Sequence, residues 1–376
     1  MNYPVLLAQM LMLTDSSSNK IQYQQKSKTM NTKSVLTIII SGAILFAACK
    51  KKKGDVPTLA PVAKKVYAVG YEQNSTGPYL GKYWVDTALT TISVSGSDVI
   101  LFDVEVVGTD VYLFGEVEPQ AGARKMSIWK NGTILYDNVS VNNFSPFRKT
   151  MVVNGTDIYL CGESFSTSAP TQRASIWKNG VVTNLPQNLS YSYASNIFVE
   201  GSNVYVLGRD YSSTQESIVV WKNGMREVLT ECEQGQAIFA VGSDVYVAGN
   251  DINSKPAYWK NGVKTLLPIP STSEAECSGI KVVGTDVYVS GNESIQNGTD
   301  IVVYWKNGIR TTLQTASANF NAESYGIEID ENNVYVYGYV ERNSNGDYCA
   351  AYWKNGTLTN LTPTSTSGEL FSVVVK

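Results

Sequence analysis

Histidine is absent from all 376 residues of this chain. Its absence excludes His-based triads, His-ligated zinc and the commonest general base at neutral pH. Charge is scarce: Asp, Glu, Lys and Arg make up 17% of the chain, against roughly a quarter in ordinary domains. Helix-forming runs of Ala, Glu, Lys and Leu are missing, while Val, Tyr, Thr, Ser, Asn and Gly abound. That is strand-and-turn composition. No CxxC, HExxH, P-loop or GxSxG pattern occurs. A D-x-D-x-D-G calcium loop is also missing, and Arg342 to Asp347 is only a faint echo of one, so no cofactor or metal is expected and Ca²⁺ has no support. Residues 1–53 carry eight lysines against Asp15 alone, which leaves residues 54–376 with a net charge of −10. So acidic a body argues against a nucleic-acid partner, because phosphate binding needs a basic footprint.

Near the N-terminus, Met30-Asn31-Thr32-Lys33 is short and positive, and Ser34 to Ala48 is rich in Val, Leu, Ile and Ala. An apolar run of about 15 residues is too short for an ordinary membrane span and fits the centre of an export signal. It ends Phe46-Ala47-Ala48-Cys49. Small residues directly before a cysteine resemble the bacterial lipoprotein signal, although Phe46 stands where that pattern usually has Leu. The resemblance implies lipidation of Cys49; an uncleaved anchor and an ordinary cleaved signal are the alternatives. Residues 1–29 fit no such signal and read as a start-site extension or a disordered segment, with translation beginning at Met30. The expected organisation is a signal peptide over 30–48, a lipidated tether over 49–64 and one large domain over 65–376. The expected location is the cell envelope, most simply the outer membrane, with the membrane as partner through the lipid.

Two phrases recur in the large domain. Trp-Lys-Asn-Gly stands at Trp129, Trp177, Trp221, Trp259, Trp305 and Trp353, with a degenerate copy at Trp84. Copies of an Asp/Asn-Val-Tyr phrase, such as Asp110-Val111-Tyr112 and Asp286-Val287-Tyr288, precede them and end in Gly. The Trp positions are spaced by 38 to 48 residues. Each unit reads as four short strands, with a Gly-Thr-Asp turn between the first two and an Asn-Gly type I′ hairpin between the last two. Four strands per unit of this length predict an all-β, seven-bladed β-propeller. The last segment, Gly368 to Lys376, matches the first strand of a unit, and the first unit lacks one. The C-terminal strand is therefore expected to complete the N-terminal blade and close the ring. Ala257-Tyr258-Trp259-Lys260-Asn261-Gly262, Leu266 and Gly279-Ile280 resemble the HAF-like repeats of secreted bacterial propellers and the Trp-Lys-Asn-Gly arrays of Bacteroidetes-type lipoproteins. The resemblance covers about 65–376 and speaks to architecture.

Because consecutive strands are antiparallel, the short turns share one side of the disk and the long, variable loops share the other. The long-loop side is the candidate functional face. An acid follows the Gly of each second strand: Glu72, Glu116, Glu163, Asp210, Asp251, Glu293 and Glu341. These are expected to crown that face, either as a negative mouth for cations or a basic partner or as ordinary solvated strand ends. Phe144, Phe147, Tyr191, Tyr193, Tyr211 and Phe320 lie on or beside it and suit a glycan or peptide by stacking, with loop packing as the alternative. Cys232 and Cys277, on neighbouring blades, are placed where a disulfide could form. Glu105, Lys281 and Glu328 share one first-strand register and point to the central channel, but their counterparts Val152, Phe198 and Phe239 are apolar, so no repeated catalytic ring is expected there. These features favour a non-catalytic binding or scaffold module for a glycan, peptide or protein. A carboxylate-based glycan-active enzyme on the long-loop face and a structural subunit of an envelope complex are the alternatives.

Overall fold

The computed structural model describes residues 63–376 apart from 75, 142, 149, 169–170, 296–297, 314–320 and 343–345. Cys49, the signal, most of the tether and Phe320 therefore lie outside the described residues. All regular structure among the described residues is β. Five separate four-stranded sheets are present, and a larger sheet joins two further four-stranded units through the single parallel bridge Gln172–Tyr191. In the first of those two units the inner strand is split into Phe144–Pro146 and Val152–Asn154. The final strand, Ser367–Val375, pairs antiparallel with Val66–Gln73, Val66 opposite Val375 and Gln73 opposite Ser367.

The two repeated phrases lock each other. Asn131, Asn179, Asn223, Asn261, Asn307 and Asn355 take φ between 47° and 51°, and each following Gly lies between 78° and 95°. This is the left-handed pair that a type I′ hairpin needs. The Asn side chain then ties the hairpin to the second strand. Asn261 Oδ1 accepts the Val245 N–H at 2.8 Å while its Nδ2 donates to Asp244 Oδ1 at 2.8 Å. The preceding lysine closes the arrangement: Lys260 Nζ lies 2.7 Å from Asp244 and 5.3 Å from the Tyr246 ring centroid. The ion pair holds the Lys260 ammonium above its ordinary range, first through the hydrogen bond to Asp244, to about 12. The Trp of the phrase packs between sheets. Trp84, Trp177, Trp221, Trp259, Trp305 and Trp353 are all under 2% exposed.

The glycine of the second strand has a different role from ending it. In every unit a β-bulge or break in the inner strand drives a carbonyl toward this residue. A Cβ at Gly249 would meet the Gln234 carbonyl oxygen at 1.8 Å, and one at Gly291 the Glu276 oxygen at 2.3 Å. Only Gly fits such an approach. The second strand then continues past it, as in Asp286–Ser294.

Candidate functional site

That continuation relocates the seven acids. Glu72, Glu116, Asp210, Asp251 and Glu293 stand inside or at the end of second strands and are 0 to 6% exposed. Each meets a cation of its own unit: Glu72 with Lys82 at 3.1 Å, Glu116 with Arg124 at 3.2 Å, Asp210 with Arg226 at 2.7 Å, Asp251 with Lys264 at 3.0 Å and Glu293 with Arg310 at 2.7 Å. Burial opposes ionisation of Asp251, yet Lys264 and the N–H groups of Lys255 and Asn253 hold its carboxyl below the usual range. Glu116 goes the other way, raised by burial against the pull of Arg124. Glu163 is half-buried, raised by burial, and accepts a hydrogen bond from Gln172 Nε2. Glu341 is half-buried and accepts the Asn321 N–H at 3.2 Å. These acids knit strands together, so neither a crown of solvated strand ends nor an open negative mouth describes them.

The aromatic candidates divide. Phe144 is 2% exposed and belongs to the core. Phe147, Tyr193, Tyr211 and Tyr191 form a continuous series of ring contacts, with centroids 5.3 Å, 6.1 Å and 5.3 Å apart. Tyr191 keeps 38% of its surface exposed. The Tyr211 hydroxyl donates to Gln172 Oε1 at 2.9 Å, which fixes this end of the series. Cys161, Cys232, Cys277 and Cys349 are free thiols, so no bridge joins Cys232 to Cys277. Burial pushes both of these thiols up to about 12. Among the described residues no group of three or more His, Cys, Asp or Glu could hold a metal ion.

Chemistry collects between the inner strands. They line a cavity of about 380 Å³ whose walls include Asp103, Glu105, Lys281, Glu328 and Tyr337. Glu105, Lys281 and Glu328 lie opposite Tyr112, Tyr288 and Tyr335, one register around the channel. Lys281 Nζ is 2.8 Å from Glu328 Oε2 and 5.2 Å from the Phe239 ring centroid. Phe198 and Phe239 pack at 4.5 Å on the apolar arc of the same level. One pleat away, Asp103 is fixed at both oxygens: Oδ1 accepts the Val104 N–H and Oδ2 the Met151 N–H, each at 3.0 Å.

The charges are unequally tuned. Burial raises the Glu105 carboxyl from 4.5 to about 8, reinforced by Asp103 and Glu328 and opposed by Lys281. Burial works against a charged Lys281, but Glu328, Glu105 and Asp103 together raise it above the ordinary lysine range. The Tyr337 phenol is raised by burial and by the same carboxylates. Tyr337 reaches the cavity from a second strand because Gly326 stands opposite it; a Cβ there would meet the Tyr337 hydroxyl at 2.3 Å. On the long-loop side, Glu369 accepts the Tyr71 hydroxyl at 2.7 Å and the Tyr325 hydroxyl at 2.5 Å, and Tyr325 also lines the cavity. Asp103, Tyr337 and Glu369 are missing from the sequence-level candidates. The Gly326–Tyr337 pair was the one available signal, small opposite large at a position where the other units differ.

No protein-family model matches the chain, and no curated protein matches it. Solved structures similar to it include the native Bacillus subtilis arabinanase Arb43A, 12% identical over 61% of this chain and 94% of that one, with a TM-score of 0.33. AofleA from Arthrobotrys oligospora is 10% identical over 68% of this chain and 84% of that one, TM-score 0.39. The subtype N11 neuraminidase-like protein of A/flat-faced bat/Peru (H18N11) is 12% identical over 69% and 83%, TM-score 0.40. At these TM-scores the likeness carries no functional argument; the described sheets are themselves repeated four-stranded antiparallel units. The expectation of a non-catalytic binding or scaffold module is corrected. It rests in part on the absence of a repeated catalytic ring, whereas Asp103, Glu105, Lys281, Glu328 and Tyr337 share one cavity without any repeat.

Proposed function

We propose that the chain is a carboxylate-based glycan-active enzyme whose acid–base centre lies in the cavity between the inner strands. The observation that carries this reading is the pairing of Glu105, raised to about 8, with Asp103, whose two oxygens are held by backbone N–H groups. Two carboxyl groups in one cavity with unlike environments are the requirement for acid and base in one site. Glu105, protonated near neutrality, gives its proton to the leaving glycosidic oxygen as the C–O bond breaks. Asp103 directs the attacking water and takes its proton, so one hydroxyl and one proton are added across the bond. Lys281, paired with Glu328, places positive charge beside the cavity and holds the Glu328 carboxylate in position. Tyr191, the exposed end of the ring series, supports a sugar as substrate, because an exposed aromatic ring offers a face for stacking.

The test is release of reducing ends from a panel of polysaccharides and aryl glycosides. Wild type should cleave at least one member, and Glu105→Gln should lower the rate by about 10²–10⁴-fold, the usual contribution of a general acid. Cleavage that survives Glu105→Gln undiminished sinks the assignment.

The same reading takes the sheets as a seven-bladed ring closed by the pairing of Ser367–Val375 with Val66–Gln73, within a lipoprotein of the Trp-Lys-Asn-Gly type attached to the cell envelope through Cys49. No helix among the described residues is long and apolar enough to cross a membrane. A Cys49→Ala chain that is still processed and still membrane-bound would refute the lipid anchor.

A further inference from the structure

We infer that the short-turn face of the propeller docks on a lipid membrane surface. The observation is independent of the catalytic reading. Four residues that directly follow an Asn-Gly turn are unusually exposed for apolar side chains: Val181 at 66%, Met225 at 63%, Val263 at 70% and Ile309 at 73%. They belong to four consecutive units. At the same position the remaining Trp-Lys-Asn-Gly hairpins place Thr133 and Thr357, so the hairpin itself does not demand an apolar residue. Each of the four pairs across its hairpin with a lysine: Lys178, Lys222, Lys260 and Lys306. Val241 and Val283 end inner strands at the same face and are 38% and 42% exposed. An apolar side chain beside a lysine stem, repeated along one rim, is the composition of a surface that sits at a headgroup boundary with its apolar tips inserted.

The chain's own connection argues for lipid over other occupants. The described chain enters its first strand at this face, where Lys65 N–H donates to the Lys376 carbonyl at 2.7 Å. Before that entry come residues 49–62 with the lysine cluster Lys50 to Lys53. On the lipid anchor proposed at Cys49, on which this choice of occupant rests, those residues fully extended span about 45–50 Å, enough to leave the whole face free to lie on the membrane. Lys178, Lys260 and Lys306 are neutralised by Asp157, Asp244 and Asp286. The apolar tips therefore carry the contact, and attraction to anionic lipid is secondary. In this orientation the long-loop face and its aromatic series point away from the membrane.

The experiment uses residues 61–376, a compact unit that holds all the described sheets and their cores. It is sedimented with phosphatidylcholine–phosphatidylglycerol vesicles, beside a variant carrying Val181→Ser, Met225→Ser, Val263→Ser and Ile309→Ser. The wild-type unit should partition onto vesicles, the variant about 100-fold less given the apolar area removed, and high salt should weaken wild-type binding only a few-fold. Because all four side chains are exposed, the two proteins should melt together, which separates a binding loss from a folding loss. Wild type remaining in the supernatant at high lipid, or equal partitioning of the variant, would overturn the inference. A concentration-dependent dimer that the four substitutions abolish would also overturn it and assign the face to a second copy.

Discussion

Replacing Glu105 by Gln should make the protein more resistant to alkaline conditions while leaving it unchanged in acid. The unfolded chain releases the Glu105 proton near 4.5 and the folded chain near 8. Between those values the folded state binds more protons than the unfolded state, so wild-type stability falls as pH rises and the full cost is present above pH 8. Glutamine keeps the shape and the neutral polar end of the protonated acid and has no such slope. A shift of this size corresponds to about 4–5 kcal/mol at the upper limit, and to about 2–3 kcal/mol once water in the channel is allowed for. Urea unfolding followed by tryptophan fluorescence reads the difference directly, since the tryptophans are buried between the sheets. The gain of Glu105→Gln over wild type should grow steadily from pH 4.5 to pH 8 and then level off. A difference that stays flat across that window would refute the proton-holding Glu105 and remove the acid from the proposed mechanism.

Other positions make equally definite claims. Arg226→Ala leaves Asp210, 0% exposed, without its cation and should cost about 3–5 kcal/mol, most of it recovered when Asp210→Asn is added. Gly291→Ala places a methyl 2.3 Å from the Glu276 carbonyl and should cost about 2–4 kcal/mol by chemical denaturation, since backbone on both sides must shift. Asn261→Ala removes both a residue comfortable at φ 49° and the bonds to Val245 and Asp244; a loss of about 1–3 kcal/mol is expected, and a neutral result would contradict the interlock of the two phrases.

The architecture was legible because it is written repeatedly. Trp129 and its counterparts, the Asn-Gly hairpins and the Asp-Val-Tyr phrase give strand order, turn type and packing face at once. The role of the second-strand glycine was not legible, since a Gly followed by an acid reads equally as a strand end. Whether the strand stops or runs on depends on a bulge in another strand, as at Ser324–Gly326 opposite Gly338. That one ambiguity moved Glu72, Asp210 and Glu293 from an expected rim to the interior of the sheets. The channel was half legible: Glu105, Lys281 and Glu328 follow from register alone, while Asp103 depends on the bulge beside Leu101 and Tyr337 on the missing side chain of Gly326. Chemistry that does not repeat is the part a repeat pattern hides.

The central claim is that Glu105 is a proton donor to a glycosidic oxygen, and the pH dependence of cleavage tests it most directly. On the best substrate from a glycan panel, kcat/KM of wild type should hold through neutrality and fall as pH rises past about 8, when Glu105 loses its proton. Glu105→Gln should lack that alkaline limb and run far below wild type at pH 7, with the gap narrowing for substrates whose leaving group needs no protonation. An alkaline limb that persists unchanged in Glu105→Gln would contradict the account.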